Sequence, residues 1–297
     1  MKYTIKDIEQ IQFSGINFTL HDNITEIINK LSLEINSPEY TITPQFKKND
    51  KWFKHRVPKK NITKNEFEIC LDNIRTGLNK ITEKTFSVQL EKINNNILII
   101  LNAPDYSTLD NLDLINNIIY DIITNSSFYA NLYTKLYKTL IDNHNFINYY
   151  FYNKLASISS IIDNIQTCSP DDYDLFCDIN KNNEKRRALI TFFINMMKLD
   201  CMDIDIIDNL RLHIQDTIIK TISLDNSTYI VDELAILLFI LITNYMSHIN
   251  NTNLINLKSY LNNFISLDKN MYPSLSNKSR FKHMDINDFI SNCNKDT

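Results

Sequence analysis

The residues best placed to carry out catalysis are the aspartates at positions 171, 172 and 174, which follow Pro170. Carboxylate oxygens are ligands that Mg²⁺ takes from proteins, and all-helical prenyl-transferring enzymes place such groups at i, i+1 and i+4 on a helix face. The spacing differs here, and Pro170 puts Asp171, Asp172 and Asp174 at a helix start or in a loop. The pattern favours a solvated capping turn. The alternative, a magnesium-dependent helical enzyme, requires these carboxylates to converge in a deep pocket.

The other residue types that often carry out catalysis are scattered. The six histidines and five cysteines form no C-x-x-C pair and no set at metal-ligand spacing. No phosphate-binding glycine loop, H-E-x-x-H or G-x-S-x-G motif occurs. The sequence therefore predicts a protein that is not an enzyme and has no catalytic residue, metal or cofactor. The odd number of cysteines and the lack of a secretory signal predict a cytoplasmic location.

A short basic stretch stands out from a chain whose formal net charge is −4. Residues 47–60 contain seven lysines and arginines against Asp50 alone, a local charge of +6, and Phe46, Trp52 and Phe53 lie among them. Basic side chains attract the phosphate backbone and aromatic rings stack on bases, so we predict an RNA contact; the alternative is a solvated linker. The basic residues are Lys47, Lys48, Lys51, Lys54, Arg56, Lys59 and Lys60.

The elements that must position these residues are helical. Two glycines in 297 residues argue against sheet-rich and doubly wound enzymes, because those folds need glycine in tight turns and phosphate loops. From about residue 63 the apolar residues recur at the helical period; Leu189, Phe192 and Met196 share one helix face, for example. We expect helices at about residues 64–80, 84–101, 109–125, 128–142, 145–168, 184–199, 203–222, 229–248, 252–267 and 276–292.

Ten helices with short links predict an all-α fold, an α-solenoid of five antiparallel helix pairs preceded by an extended N-terminal arm. The expected regions are an arm at residues 1–45, a basic linker at 46–62 and the helical domain at 63–297. The longest apolar run, Leu234 to Ile242, has about half the length of a membrane span. We interpret it as a buried core helix.

Four segments carry motif patterns that are known together from one protein family: IRTGLNKITEKTF (Ile74 to Phe86), SFYANLY (Ser127 to Tyr133), RRALITFFINMMKL (Arg186 to Leu199) and SRFKHMDINDF (Ser279 to Phe289). In this order they resemble the middle domain of the translation initiation factor 4G scaffold family. That family's fold consists of five HEAT-like helix pairs, and the match covers about residues 63–292. Two features depart from its pattern: Ser127 lacks a preceding proline, and Gly77 lies within a helix, where it costs about 1 kcal/mol.

The resemblance implies a scaffold that binds a DEAD-box RNA helicase of the initiation factor 4A type. A tryptophan placed like Trp52 docks on the helicase in related scaffolds, and a Trp flanked by lysines suits an interface better than a core, although it could also pack back on the solenoid. Arg186 and Arg187 are expected at a helix start, where cations are unfavourable; they bind either an anionic partner or, by preference, an internal carboxylate. The implied helicase-binding residues are Trp52, Phe53, Asn79, Lys80, Thr82, Glu83, Arg186 and Arg187.

The N-terminal residues Tyr3, Ile8 and Ile11 are similar to the helix with which such scaffolds bind a cap-binding protein of the 4E type. On a helix these three side chains can face one groove. Ile8 and Glu9 depart from the family pattern, which has leucine and an apolar residue there. The apolar patch Ile24, Ile27, Ile28 and Leu31 could form a second contact or pack on the solenoid; it is the one short amphipathic patch of the arm.

The resemblance leaves the biological role open. One role is a translation initiation scaffold that joins a cap-binding protein, a helicase and mRNA. Domains of this class also act as adaptors in RNA decay, in nuclear cap binding and with poly(A)-binding protein. A copy consisting of one domain could also be a decoy that sequesters the helicase.

Overall fold

The computed structural model describes residues 21–34, 64–168 and 172–293. The chain divides into two units, Met1–Thr63 and Lys64–Thr297. These described parts contain eleven α-helices and no β-strand. The helices are α1 (Asp22–Glu34), α2 (Glu66–Asn79), α3 (Phe86–Asn102), α4 (Leu109–Thr124), α5 (Ala130–Asn143), α6 (Asn145–Ala156), α7 (Tyr173–Lys198), α8 (Ile204–Thr221), α9 (Thr228–Tyr245), α10 (Asn251–Ile265) and α11 (Asn277–Cys293).

The first unit contributes α1, an amphipathic helix. Ile24, Ile27, Ile28 and Leu31 recur at i, i+3, i+4 and i+7, so they form one stripe. All four side chains are exposed. The helix lies within the predicted arm of residues 1–45.

The second unit is a stack of helix pairs. The second helix of each pair packs against the second helix of the next, in the order α3, α5, α7, α9 and α11. Within the pairs, α2 packs against α3, α4 against α5, α8 against α9 and α10 against α11. The third pair differs, because α6 packs chiefly against α4 and α5. The predicted all-α, solenoid-like fold is confirmed.

Gly77 allows the first pair to pack closely. It is buried in α2, and a Cβ added there would lie 2.9 Å from Cγ1 of Ile93 in α3. Side chains larger than hydrogen would therefore push the two helices apart or force Ile93 to move. The helix-propensity cost of this glycine is offset by the packing that it permits.

The boundaries of two expected helices differ from the structure. The helix expected at 145–168 ends at Ala156 and is followed by a 3₁₀ turn, Ile158–Ile162. The helix expected at 184–199 already begins at Tyr173, because Asp172 caps it: the Leu175 amide donates to Asp172 Oδ1 at 3.0 Å. Arg186 and Arg187 consequently lie in the middle of α7 and not at its start.

The longest apolar helix lies in the core of the second unit. Within the described ranges, the stretch Thr228–His248 has the length and composition of a membrane span, with a mean hydropathy of 1.7. In this fold, α9 packs against α7, α8 and α11, and Leu234, Leu237 and Leu241 have no exposed surface. Their burial agrees with the predicted core helix.

Candidate partner-binding cleft

The turn between α2 and α3 presents the polar residues that were predicted to contact the helicase. Asn79, Lys80, Thr82 and Glu83 are all exposed. The turn is held by Thr85, whose hydroxyl donates to the Lys80 carbonyl at 2.7 Å and accepts from the Thr82 amide at 2.9 Å. Because its backbone is bonded internally, this turn offers its side chains from a fixed position.

The segment that leads into α5 presents aromatic rings beside this turn. Phe128 is 86% exposed, and its ring meets that of Tyr129 edge-on at a centroid distance of 4.8 Å. Tyr133, one turn further on, is buried, and its hydroxyl donates to the Leu78 carbonyl at 3.3 Å. Burial raises the pKa of Tyr133, so this hydroxyl keeps its proton. The bond ties α5 to the end of α2.

These two segments line one open cleft of about 630 Å³. Phe86 and Leu132 are half-buried and belong to the margin of the core. Glu83 and Lys135 place one negative and one positive charge in the lining. We call this site the pair-turn cleft; its lining residues are Thr82, Glu83, Phe86, Phe128, Tyr129, Asn131, Leu132 and Lys135.

The pair-turn cleft includes only some of the predicted helicase-binding residues. Thr82 and Glu83 line it. Lys80 instead lines a smaller polar cleft of about 340 Å³ between α2 and α3, together with Lys92 and amide side chains. Asn79 is exposed nearby in the chain but lines neither cleft. Phe128 also lines the pair-turn cleft, but it was not predicted as a helicase-binding residue and was named only as part of a matched segment. The sequence feature that could have identified it is its position as an aromatic residue directly after the helix breaker Ser126-Ser127.

Arg187 forms the predicted internal salt bridge. Its Nε and Nη2 donate to the two carboxylate oxygens of Glu233 in α9 at 2.9 and 2.5 Å. Glu233 is 3% exposed, and Nη1 reaches Glu184 at 2.9 Å. The hydrogen bond to Glu233 raises the pKa of Arg187. This guanidinium therefore joins α7 to α9.

Arg186 is bonded within the fold too, but to neutral groups and not to the internal carboxylate that was expected for it. Its Nε donates to the Ile161 carbonyl at 2.6 Å, its Nη2 to the Asn164 carbonyl at 3.1 Å, and its Nη1 to Asn183 Oδ1. Burial lowers the pKa of Arg186. It secures the segment after α6 to α7, so a helicase contact through Arg186 or Arg187 stays a prediction.

The acidic turn has a capping role in this structure. Asp172 caps α7, Asp174 is exposed in the first helical turn, and Asp171 lies outside the described residues. In the part of the chain that the structure describes, no group of three His, Cys, Asp or Glu side chains could hold a metal ion. The capping interpretation of Asp172 is confirmed.

The other predicted contact residues lie outside the described ranges and stay predictions. They comprise the three assigned to the cap-binding protein, the two aromatic residues assigned to the helicase and the seven assigned to RNA. These are Tyr3, Ile8 and Ile11, then Trp52 and Phe53, and finally Lys47, Lys48, Lys51, Lys54, Arg56, Lys59 and Lys60.

Neither the models of known protein families nor the curated proteins gave a match to the chain.

Proposed function

We propose that this protein is a cytoplasmic translation initiation scaffold that binds a DEAD-box RNA helicase of the initiation factor 4A type through the pair-turn cleft. One observation carries the proposal. Two of the segments that resemble the factor 4G middle domain, Ile74 to Phe86 and Ser127 to Tyr133, are separated by 40 residues (86 to 127), yet they line the same exposed cleft.

The chemistry of the cleft suits a protein partner. Exposed aromatic rings are common anchors of protein interfaces, and Phe128 and Tyr129 are exposed rings in the lining of this cleft. Glu83 and Lys135 can pair with opposite charges on the partner and so set its orientation. The proposed contact needs no bond-making group.

The proposed mechanism is a shift in the helicase population. A DEAD-box helicase has two lobes whose relative arrangement changes during its cycle. A scaffold whose helices stack on one another binds one arrangement more tightly than the other, and it raises that population in proportion to the difference in affinity. The cap-binding protein and mRNA are proposed to bind residues 1–62, through the residues predicted above.

Binding of the full chain to a purified factor 4A-type helicase, measured by calorimetry, tests the proposal. Truncating an interface anchor costs about 2 kcal/mol, roughly 30-fold in affinity, so we expect Phe128→Ala to weaken binding by this factor. The matched control is Phe281→Ala, since Phe281 is 60% exposed in α11 and is not a lining residue of the cleft. Equal affinities for both variants and the unmodified protein would reject the cleft as the contact.

The ATPase rate of the helicase, measured with and without this protein, distinguishes the scaffold from the helicase-sequestering decoy and from an adaptor in another RNA pathway. Stimulation on adding the protein supports the scaffold. Binding without stimulation favours the helicase-sequestering decoy. No binding at all removes the helicase proposal and favours an adaptor in another RNA pathway.

A further inference from the structure

Another cleft lies between the end of α7 and the start of α8, and it shares no lining residue with the pair-turn cleft. It encloses about 430 Å³. Its apolar lining includes Leu155, Met197 and Met202, all of them buried. Tyr152 from α6 also lines it and is 54% exposed. Met197 belongs to one of the matched segments, but the sequence did not predict a site here, because the lining residues come from separate helices.

Two carboxylates give this cleft a negative charge. Asp200 and Asp203 both line it and are exposed, and neither belongs to an ion pair of the described residues. Asp203 stands at the N-cap of α8, yet its side chain accepts no capping hydrogen bond. Both carboxylates are therefore available to a ligand.

The remaining polar groups around the cleft do not neutralise these carboxylates. Burial raises the pKa of the Cys201 thiol, which keeps it uncharged. The ammonium of Lys138, which lies close enough to influence Cys201, is held by Asp142 at 2.6 Å. His248 is bonded to its neighbour Ser247 at 2.9 Å. The lining thus combines a negative rim, an aromatic ring and an apolar floor.

We propose that this cleft binds an arginine side chain of a partner protein, with Asp200 and Asp203 holding the guanidinium. Carboxylates bind the planar guanidinium through paired hydrogen bonds, and a tyrosine ring such as Tyr152 attracts the cation. The apolar floor covers the methylene stem, which a small metal cation lacks. A metal site is further disfavoured because, among the described residues, no three Asp, Glu, His or Cys side chains are arranged to hold a metal ion.

Methionine methyl resonances of the full chain report directly on the floor of the cleft. The protein is labelled with ¹³C at the methionine methyl groups and titrated with a blocked peptide that carries one arginine between two leucines. We expect saturable shifts of Met197 and Met202 and none of Met271, which is 74% exposed outside the lining. The same peptide with citrulline, which has the size of arginine but no charge, should bind about tenfold more weakly.

A second experiment removes the negative charges of the protein instead of the positive charge of the peptide. The double substitution D200N/D203N replaces both carboxylates by neutral amides of similar size, and asparagine tolerates the left-handed backbone of position 200, whose φ is 56°. We expect this variant to bind the arginine peptide about tenfold more weakly and to lose the preference over citrulline. The matched control is Asp110→Asn, because Asp110 is exposed in α4 outside the lining.

Three results would overturn the proposal. One is equal binding of the arginine and citrulline peptides. Another is unchanged affinity in D200N/D203N while its thermal unfolding matches that of the control. The third is saturation of the same two methyl signals by spermidine at lower concentration than by the arginine peptide, which would assign the cleft to small polycations.

Discussion

Acidification is expected to destabilise the packing of α10 against α11, because His283 lies between these helices as an uncharged ring. His283 has no exposed surface, and its ring stacks on Phe264 at a centroid distance of 3.7 Å. Its Nδ1 donates to the Ser279 carbonyl at 2.7 Å, and its Nε2 lies 3.0 Å from the Tyr260 hydroxyl. Burial raises the pKa of Tyr260, so this hydroxyl is protonated and donates to Nε2. The neutral ring is fully bonded.

The expected loss of stability follows from the pKa of this histidine. Burial lowers the pKa of His283 from 6.5 to about 4, and the bond to Ser279 opposes only part of that shift. Since the folded value lies below the unfolded value, the unfolded chain binds the proton more tightly. The contribution of the neutral His283 ring to the unfolding free energy is therefore complete above pH 6.5 and is lost as the pH falls toward 4. The loss is about 3 kcal/mol by the time the pH reaches the folded pKa.

Urea unfolding of the full chain between neutral pH and pH 4 measures this loss. Carboxylates also titrate in that range, so the informative quantity is the difference in unfolding free energy between the unmodified protein and His283→Asn. We expect the difference to narrow by about 3 kcal/mol on acidification. The control is His248→Gln, which removes an exposed histidine. We expect the difference in unfolding free energy between the unmodified protein and this control to be the same at neutral pH and at pH 4. Parallel curves for the unmodified protein and His283→Asn would refute the reasoning.

Three substitutions test the packing of the second unit, each by chemical denaturation. Gly77→Ala should lower the unfolding free energy by about 1 kcal/mol, because the clash with Ile93 costs about 2 and the helix-propensity gain returns about 1; a more stable variant would contradict the close approach. Arg187→Met should lower the unfolding free energy by about 3 kcal/mol, because it leaves Glu233 buried without its partner. The double variant with Glu233→Met should regain much of that loss. If the losses of the two single variants simply add up in the double variant, the two side chains are not coupled. Asn65→Ala should cost about 1 kcal/mol, since Asn65 Oδ1 accepts from an amide of the first turn of α2 at 2.8 Å; no change would show that the cap is dispensable.

The sequence alone was sufficient to predict the helices of the second unit, because helical periodicity is local. The stripe of Leu189, Phe192 and Met196 identifies the buried face of α7 from residues three and four positions apart. Breakers such as Pro104 and Pro273 mark the gaps between helices. The start of α7 was placed too late, since residues 180–187 ahead of the stripe are all polar or charged, while the decisive Asp172 cap is a single hydrogen bond.

The tertiary structure alone decided which distant residues meet. Arg187 and Glu233 are 46 residues apart, and Tyr133 and Leu78 are 55 apart. A periodic pattern states which face of a helix is buried, but the axial stagger and rotation of two packed helices depend on how their side chains interlock. The pair-turn cleft and the arginine-binding cleft proposed above depend on that packing: Phe128 and Glu83 line the first together, and Tyr152 and Asp203 line the other, only after the helices stack.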